Sequence, residues 1–479
     1  MLFNSFIFFI FLLVVIPIYY LIPRRPTPYR NSFLLVCSYI FYSYWDWRFS
    51  SLLIISTILD FYVGKYLYLI TDERKRKYLI TLSVVGNLAM LGFFKYFNFF
   101  IDSFSAMTAS FGLSLDYLHL SIILPAGISF YTFQTLTYSI DIYRKKLQPT
   151  DSLLDFALYI SFFPQLVAGP IERASNLLPQ ITNPKNATRE QIEQGLALIV
   201  IGLFKKVMIG DTSGRIVDQI FGNMEIYQSP ELLMALILFT VQIYADFSGY
   251  SNIARGSAKL MGFELMKNFE QPYFASNISD FWRRWHISLS TWLKDYVYFP
   301  LGGNRKGNAR TYVNLMIIML VSGLWHGASW TFVFWGALHG VYMTVYRFMS
   351  MGKKIPERYE YAGIGSLVRF IGNVLFTNLL VIFSWIFFRA KNFDQAFYFI
   401  NKIMSWEGSE FVGRIATICT SFVLIMVILD FLEYYTKSHT FILKLKPATV
   451  PAGILAAMFL VSLIYMFQAD PMPFIYFQF

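Results

Sequence analysis

Stretches of about twenty apolar residues recur along almost the whole chain, and no other feature limits its fold so tightly. They lie near 3–22, 31–46, 50–70, 78–100, 121–141, 152–169, 191–209, 231–247, 311–325, 328–348, 367–388, 412–432 and 449–468. About thirteen candidates result, of which about 10–13 are expected to be true spans. Hydrocarbon offers a backbone no hydrogen-bond partners, so each span must pair its own amides and carbonyls as a helix. The expected fold class is an all-α polytopic integral membrane protein, with short or Pro/Gly-broken stretches forming re-entrant or interfacial pieces. Composition agrees. Of 479 residues, 56% are hydrophobic and only 14% charged, against about 25% charged in an ordinary globular domain. So few charges cannot cover a soluble surface, and disordered, collagenous and nucleic-acid-binding classes fall away at the same step. No fixed-period repeat or low-complexity tract divides the chain, which reads as one membrane domain over 1–479. Met1 to Tyr20 lacks a basic leader and a small-residue cleavage site, and is expected to be a first span rather than a removed signal.

Lys and Arg number 40 against 29 Asp and Glu, a net charge of +11. The basic residues fall into short loops: Arg24, Arg25 and Arg30, then Arg74 to Lys77, then Arg144 to Lys146. The loop from Ile101 to Leu120 has none. That alternation puts the N-terminus outside and the three basic loops in the cytoplasm. The positive balance thus reports topology rather than a polyanionic partner, and no nucleic acid is expected. Cys37 and Cys419 sit in apolar runs without a CxxC neighbour, so they read as packing residues.

The polar residues that lie among apolar ones concentrate between about 242 and 340. Asp246, in Tyr244-Ala-Asp-Phe-Ser-Gly-Tyr250, is costly in hydrocarbon. It either faces a cavity or partner, or ends a helix at the interface. Phe281-Trp282-Arg283-Arg284-Trp285-His286 follows. On a single helix Trp282 shares a face with Trp285 and His286, and Arg283 and Arg284 flank that stripe. An interfacial helix fits, its arginines meeting phosphate or carboxylate groups, or simply lipid headgroups. Gly302-Gly303-Asn304-Arg305-Lys306 is a basic turn, either an anion-binding nest or a plain cytoplasmic loop. In Gly323-Leu-Trp325-His326-Gly327, His326 stands between apolar runs. Burial favours a neutral imidazole, which is able to accept a proton, and the glycines allow a substrate or a second backbone to come close. A hydrogen-bonded structural role suits a lone histidine equally well, but His286, His326 and His339 are three of the chain's five. His339 is the weaker candidate. Their spacing matches no zinc pattern, so no metal site is expected.

These motifs, in this order, resemble the membrane-bound O-acyltransferase family, in particular its bacterial branch containing alginate O-acetyltransferase. Tyr244 to Tyr250, Trp282 to Ser290, Trp292 to Asn304 and Leu324 to Trp330 carry the resemblance, with Phe163 to Arg173 upstream and, more loosely, Ser43 to Arg48 and Pro125 to Asp141. It thins out beyond about His339. The resemblance implies about eleven spanning helices plus peripheral ones around a central catalytic chamber. It implies a catalytic histidine at His326 and a second motif histidine at His286. It also implies an acyl donor from the cytoplasm, an acceptor hydroxyl on an exported polysaccharide and a periplasmic partner protein, in the bacterial inner membrane.

The expected chemistry is acetyl transfer from a thioester, acetyl-CoA as co-substrate with no bound cofactor, to a hydroxyl deprotonated by His326. His286 or the Trp325 indole would donate to the oxyanion, and an acyl-enzyme on a serine or His326 is an alternative route. Trp282, Arg283, Arg284, Trp285, Asn304, Arg305, Lys306 and Asp246 are the expected donor-binding set. Peptidoglycan is the second acceptor reading. A transporter or flippase using Asp60 and Asp246 is the reading from another class, and a scaffold within an exporter is a third.

Overall fold

The computed structural model describes residues 1–113, 119–167, 169–351, 363–410 and 412–477. Ala168, in the stretch Phe163 to Arg173, and residues 114–118, in the Lys/Arg-free loop, lie outside them. Every regular element among the described residues is helical. Six helical stretches among them are long and apolar enough to cross a membrane: Thr27–Leu69, Glu73–Ser110, Ser229–Leu260, Ile364–Arg389, Val412–Thr436 and Thr449–Gln468. The chain is an all-helical, multi-pass membrane protein.

The helices fall where the apolar runs are, with three departures. The run at 78–100 continues through a π-helical turn at Gly92–Tyr96 into Phe97–Ser110, so the expected loop from Ile101 is helical for its first ten residues. The run at 152–169 is no single helix. It stops at Ser161 and resumes as the four-residue helix Phe163–Leu166, with Pro164 in its first turn, where a missing amide costs no hydrogen bond. The run at 191–209 belongs to a longer helical stretch, Arg189–Leu203, π-helical Phe204–Asp211 and Thr212–Gly222.

The chain divides into two compact units, Met1–Val200 with Tyr250–Met266, and Ile201–Gly249 with Lys267–Phe477. In the first, Asp60 is fully buried where Ser50–Leu69, Glu73–Leu91 and Ile128–Tyr143 pack together. Its carboxylate accepts from Ser83 Oγ and Ser139 Oγ at 2.5 Å each and from Asn87 Nδ2 at 2.6 Å. Asn87 Oδ1 in turn accepts from Ser56 Oγ at 2.8 Å and Thr135 Oγ1 at 3.2 Å. A carboxylate so occupied by its own helices is a structural hub, and the transporter reading loses one of its two acids.

In the second unit the helices Gly307–His326 and Trp330–Met349 form a hairpin. A methyl group added to Gly323 would meet the Phe332 carbonyl, and one on Gly336 the Met319 carbonyl. The glycine beside the histidine thus serves backbone-to-backbone packing, as small residues do between membrane helices. The Phe332 ring likewise fills the space a Cβ on Gly327 would need. Ser329 caps the second helix through the Thr331 N–H at 3.3 Å. His326 becomes the last residue of the first, just before the turn.

Candidate functional site

The tryptophan–arginine–histidine stretch is not the continuous helix its spacing predicts. Ile278–Arg284 is capped by Asn277, which accepts the Asp280 N–H at 2.8 Å, and the chain then bends before Ile287–Leu293 begins. His286 occupies the bend at φ 43° and ψ 54°. A non-glycine residue pays about 1–3 kcal/mol for a conformation of that kind, and it persists only where surrounding bonds impose it. Asn268 supplies them. Its carbonyl accepts the Ile287 N–H at 2.9 Å and its side-chain oxygen accepts Ser288 Oγ at 2.6 Å. The bend takes His286 off the Trp282 face and into the interior, fully buried. Burial pushes its imidazole down to about 3, so the ring is neutral at any working pH.

Two chain-distant elements then bring the two motif histidines together. The His286 and His326 ring centroids are 6.1 Å apart. Trp325 lies 5.5 Å from His286 and 5.0 Å from His326. Phe247 packs edge-on against His286 at 4.6 Å, while Trp335 and Phe388 flank His326 at 5.1 and 5.4 Å. The chamber has one member the motifs do not announce. Tyr476, in the one-turn helix Ile475–Phe477, sits 5.3 Å from His326 and 6.2 Å from His286. The signal was the short aromatic run Phe474, Tyr476 and Phe477 after the last apolar stretch, far from the other motifs.

His339 resolves differently. Trp282 Nε1–H donates to its Nδ1 at 3.2 Å, and its Nε2 lies 2.9 Å from Ser384 Oγ, which donates to the Val381 carbonyl at 2.7 Å. With Nδ1 accepting, Nε2 carries the proton, and the imidazole is a neutral bridge with both nitrogens engaged. It ties Trp282 to the helix Ile364–Arg389. His339→Ala is expected to cost about 2–3 kcal/mol of stability, seen as a lowered melting temperature, while kcat stays within about threefold.

The remaining candidates separate. A cavity of about 750 Å³ is lined by Trp282, Arg283, Lys294, Met319, Ser322 and Arg347, among others. Ser322 is one turn before His326. Arg284 lies away from that lining, paired with Asp280 at 3.0 Å beside a polar cavity of about 410 Å³ with Glu433 and His439. Trp285 is fully buried, stacked on Phe281 at 5.5 Å and packed on Trp385 at 5.3 Å. Asn304, Arg305 and Lys306 are exposed on their turn, and it is Asn314 that binds this turn, through the Gly303 carbonyl at 2.8 Å. The structure does not bring that turn to the cavity lining. Asp246 pairs with Lys206 at 2.7 Å.

Comparison with known proteins agrees with this geometry. The model of the membrane-bound O-acyltransferase family matches residues 39–386. The chain is 36% identical over 508 aligned residues to a probable alginate O-acetylase of Pseudomonas putida, covering all of both chains. It is 39% identical over 421 residues to the corresponding protein of Pseudomonas aeruginosa, covering 86% of this chain and 76% of that one. A peptidoglycan O-acetyltransferase of Helicobacter pylori is 34% identical over 423 residues, with 81% and 78% covered. The matched range holds both chamber histidines, and the chain belongs to the membrane-bound O-acyltransferase family and is an O-acyltransferase.

Proposed function

We propose that the chain moves an acetyl group from a cytoplasmic thioester, acetyl-CoA, to hydroxyls of an exported polysaccharide of the alginate type. It would act in a bacterial inner membrane, through about eleven spans and with a periplasmic partner protein completing transfer. The observation that carries the reading is the pair of buried histidines, His286 and His326, meeting inside one aromatic chamber. The names of the relatives from the two Pseudomonas species support the acceptor class. Peptidoglycan is the second reading, favoured by the Helicobacter relative alone among those named above.

In this mechanism the acceptor oxygen attacks the thioester carbonyl and its proton passes to an imidazole nitrogen of His326. The tetrahedral oxyanion is stabilised by donors fixed before reaction, for which His286 and the Trp325 indole are the nearest groups. Collapse breaks the C–S bond, and the thiolate takes back the proton from the imidazolium. Water is excluded by the Phe247, Trp335, Phe388 and Tyr476 rings around the two histidines. Arg283, Lys294 and Arg347 on the 750 Å³ cavity are suited to the donor's phosphates. Arg283→Gln is expected to raise the donor KM about tenfold with little change in kcat, the mark of lost ground-state binding. Purified full-length protein given radiolabelled acetyl-CoA tests the reaction; no label transfer and no thioester cleavage would reject it. Mass spectrometry of surface glycans from a deletion strain decides the acceptor, by loss of acetyl groups from the exopolysaccharide or from peptidoglycan.

A further inference from the structure

Lys206, Asp211 and Asp246 form a buried ionic group that the transfer chemistry above does not use. Lys206 Nζ is 2.7 Å from Asp211 Oδ1 and 2.7 Å from Asp246 Oδ1, and the three side chains are at most 4% exposed. Lys206 lies in the π-helical stretch Phe204–Asp211, and Asp246 on the long helix Ser229–Leu260. One cation against two carboxylates leaves negative charge over, and what meets it is main chain. Asp246 Oδ2 accepts the Ile475 N–H at 2.9 Å, and Lys206 Nζ donates to the Pro473 carbonyl at 3.4 Å. Further out, Arg215 donates to the Asp470 carbonyl at 2.8 Å. The bonded amide belongs to the residue just before Tyr476. The neighbour of Asp246, Phe247, packs on Phe474 at 5.1 Å, on Tyr476 at 4.9 Å and on His286 at 4.6 Å. A single helical turn therefore grips the backbone of the C-terminal segment with one residue and fits its rings to the catalytic histidine pair with the next.

We infer that Lys206 and Asp246 are positioning residues, a polar clamp that docks Pro473–Tyr476 into the chamber and fixes Tyr476 against His286 and His326. Main-chain recognition suits the task, because it sets the register of the segment while leaving its side chains to face the histidines. The inference rests on the acyl-transfer reading for its purpose but not for its geometry. A clamp also differs from a plain helix–helix ion pair in what it controls. Breaking it should move the C-terminal segment while the helices stay packed. Asp246→Leu leaves Lys206 with Asp211, a neutral pair, so no charge is stranded by the substitution.

The test places a reporter cysteine at Ile475 (Ile475→Cys), whose side chain is buried, in full-length protein carrying Cys37→Ala and Cys419→Ala. Maleimide labelling should be slow, about tenfold or more faster with Asp246→Leu, and intermediate with Asp246→Asn, which keeps a carbonyl acceptor for the Ile475 N–H. In protein with its native Ile475, Asp246→Leu should lower kcat about 10–100-fold with the donor KM within twofold, since misplacement near 1 Å costs that much. Asp246→Asn should recover part of it. Equal labelling rates with and without Asp246→Leu overturn the clamp. Faster labelling with unchanged kcat overturns its part in transfer. If the parent protein transfers no acetyl group, the acyl-transfer reading falls, and labelling still decides the clamp.

Discussion

Replacing His326 by alanine is expected to lower acetyl transfer by about 10²–10⁴ with normal amounts of protein in the membrane. The size follows from removing the one group in position to take the acceptor proton, leaving the chamber and the donor cavity in place. The protein should tolerate the loss. His326 ends its helix, and Trp325, Trp335, Phe388 and Tyr476 still pack on one another around the gap. Donor KM should move little, because the cavity lining does not include His326. His286→Ala is a useful companion. Two residues acting as one unit are not additive, so the double variant should be scarcely slower than His326→Ala alone. Full activity in His326→Ala would remove the proposed mechanism.

The second large effect concerns stability. Asp60→Ala leaves two buried hydroxyls and one buried amide without their acceptor, between three packed helices. Each orphaned donor costs about 1–3 kcal/mol, and a net loss on the order of 3–5 kcal/mol follows after local rearrangement. That is enough to threaten a fold of ordinary stability. The expected outcome is aggregation or a sharply lowered melting temperature in detergent. The exchange Asp60→Asn with Asn87→Asp offers a check. It restores one donor and one carboxylate across the same contact, so the double variant should be more stable than the sum of its singles. An exchange no better than Asp60→Ala would argue against the hub. The transporter reading predicts the reverse, a folded Asp60→Ala protein with altered transport.

The helices were legible because lipid permits little else. Long apolar runs must become helices, and the breaks came at Pro164 or ran on through π-helical turns that hydropathy does not register. The histidine pair was half legible. His286 and His326 stood out as rare polar residues in apolar surroundings, but a helical wheel placed His286 beside Trp282, and the left-handed bend undoes that. The bend is imposed by Asn268, eighteen positions upstream, so no local pattern announces it. His339 looked much like its neighbours in sequence; only its two hydrogen bonds mark it as a strut. Arg305 and Lys306 were drawn to the site by proximity along the chain, which an exposed turn does not convert into proximity in space. Tyr476 was missed for the opposite reason. It is 150 residues from His326 in sequence and next to it in the fold.

The bridge through His339 also bears on orientation in the donor cavity. Trp282 has one N–H, and it points away into the Ser384 relay. The indole therefore shows the cavity only its carbon face, and with Met319 it makes a wall that rewards a chain without polar atoms. Lys294 and Arg347 reward the opposite. A long molecule with one ionic and one greasy end is consequently admitted in a single polarity, and the tryptophan acts as a ratchet on direction rather than as a hand that holds.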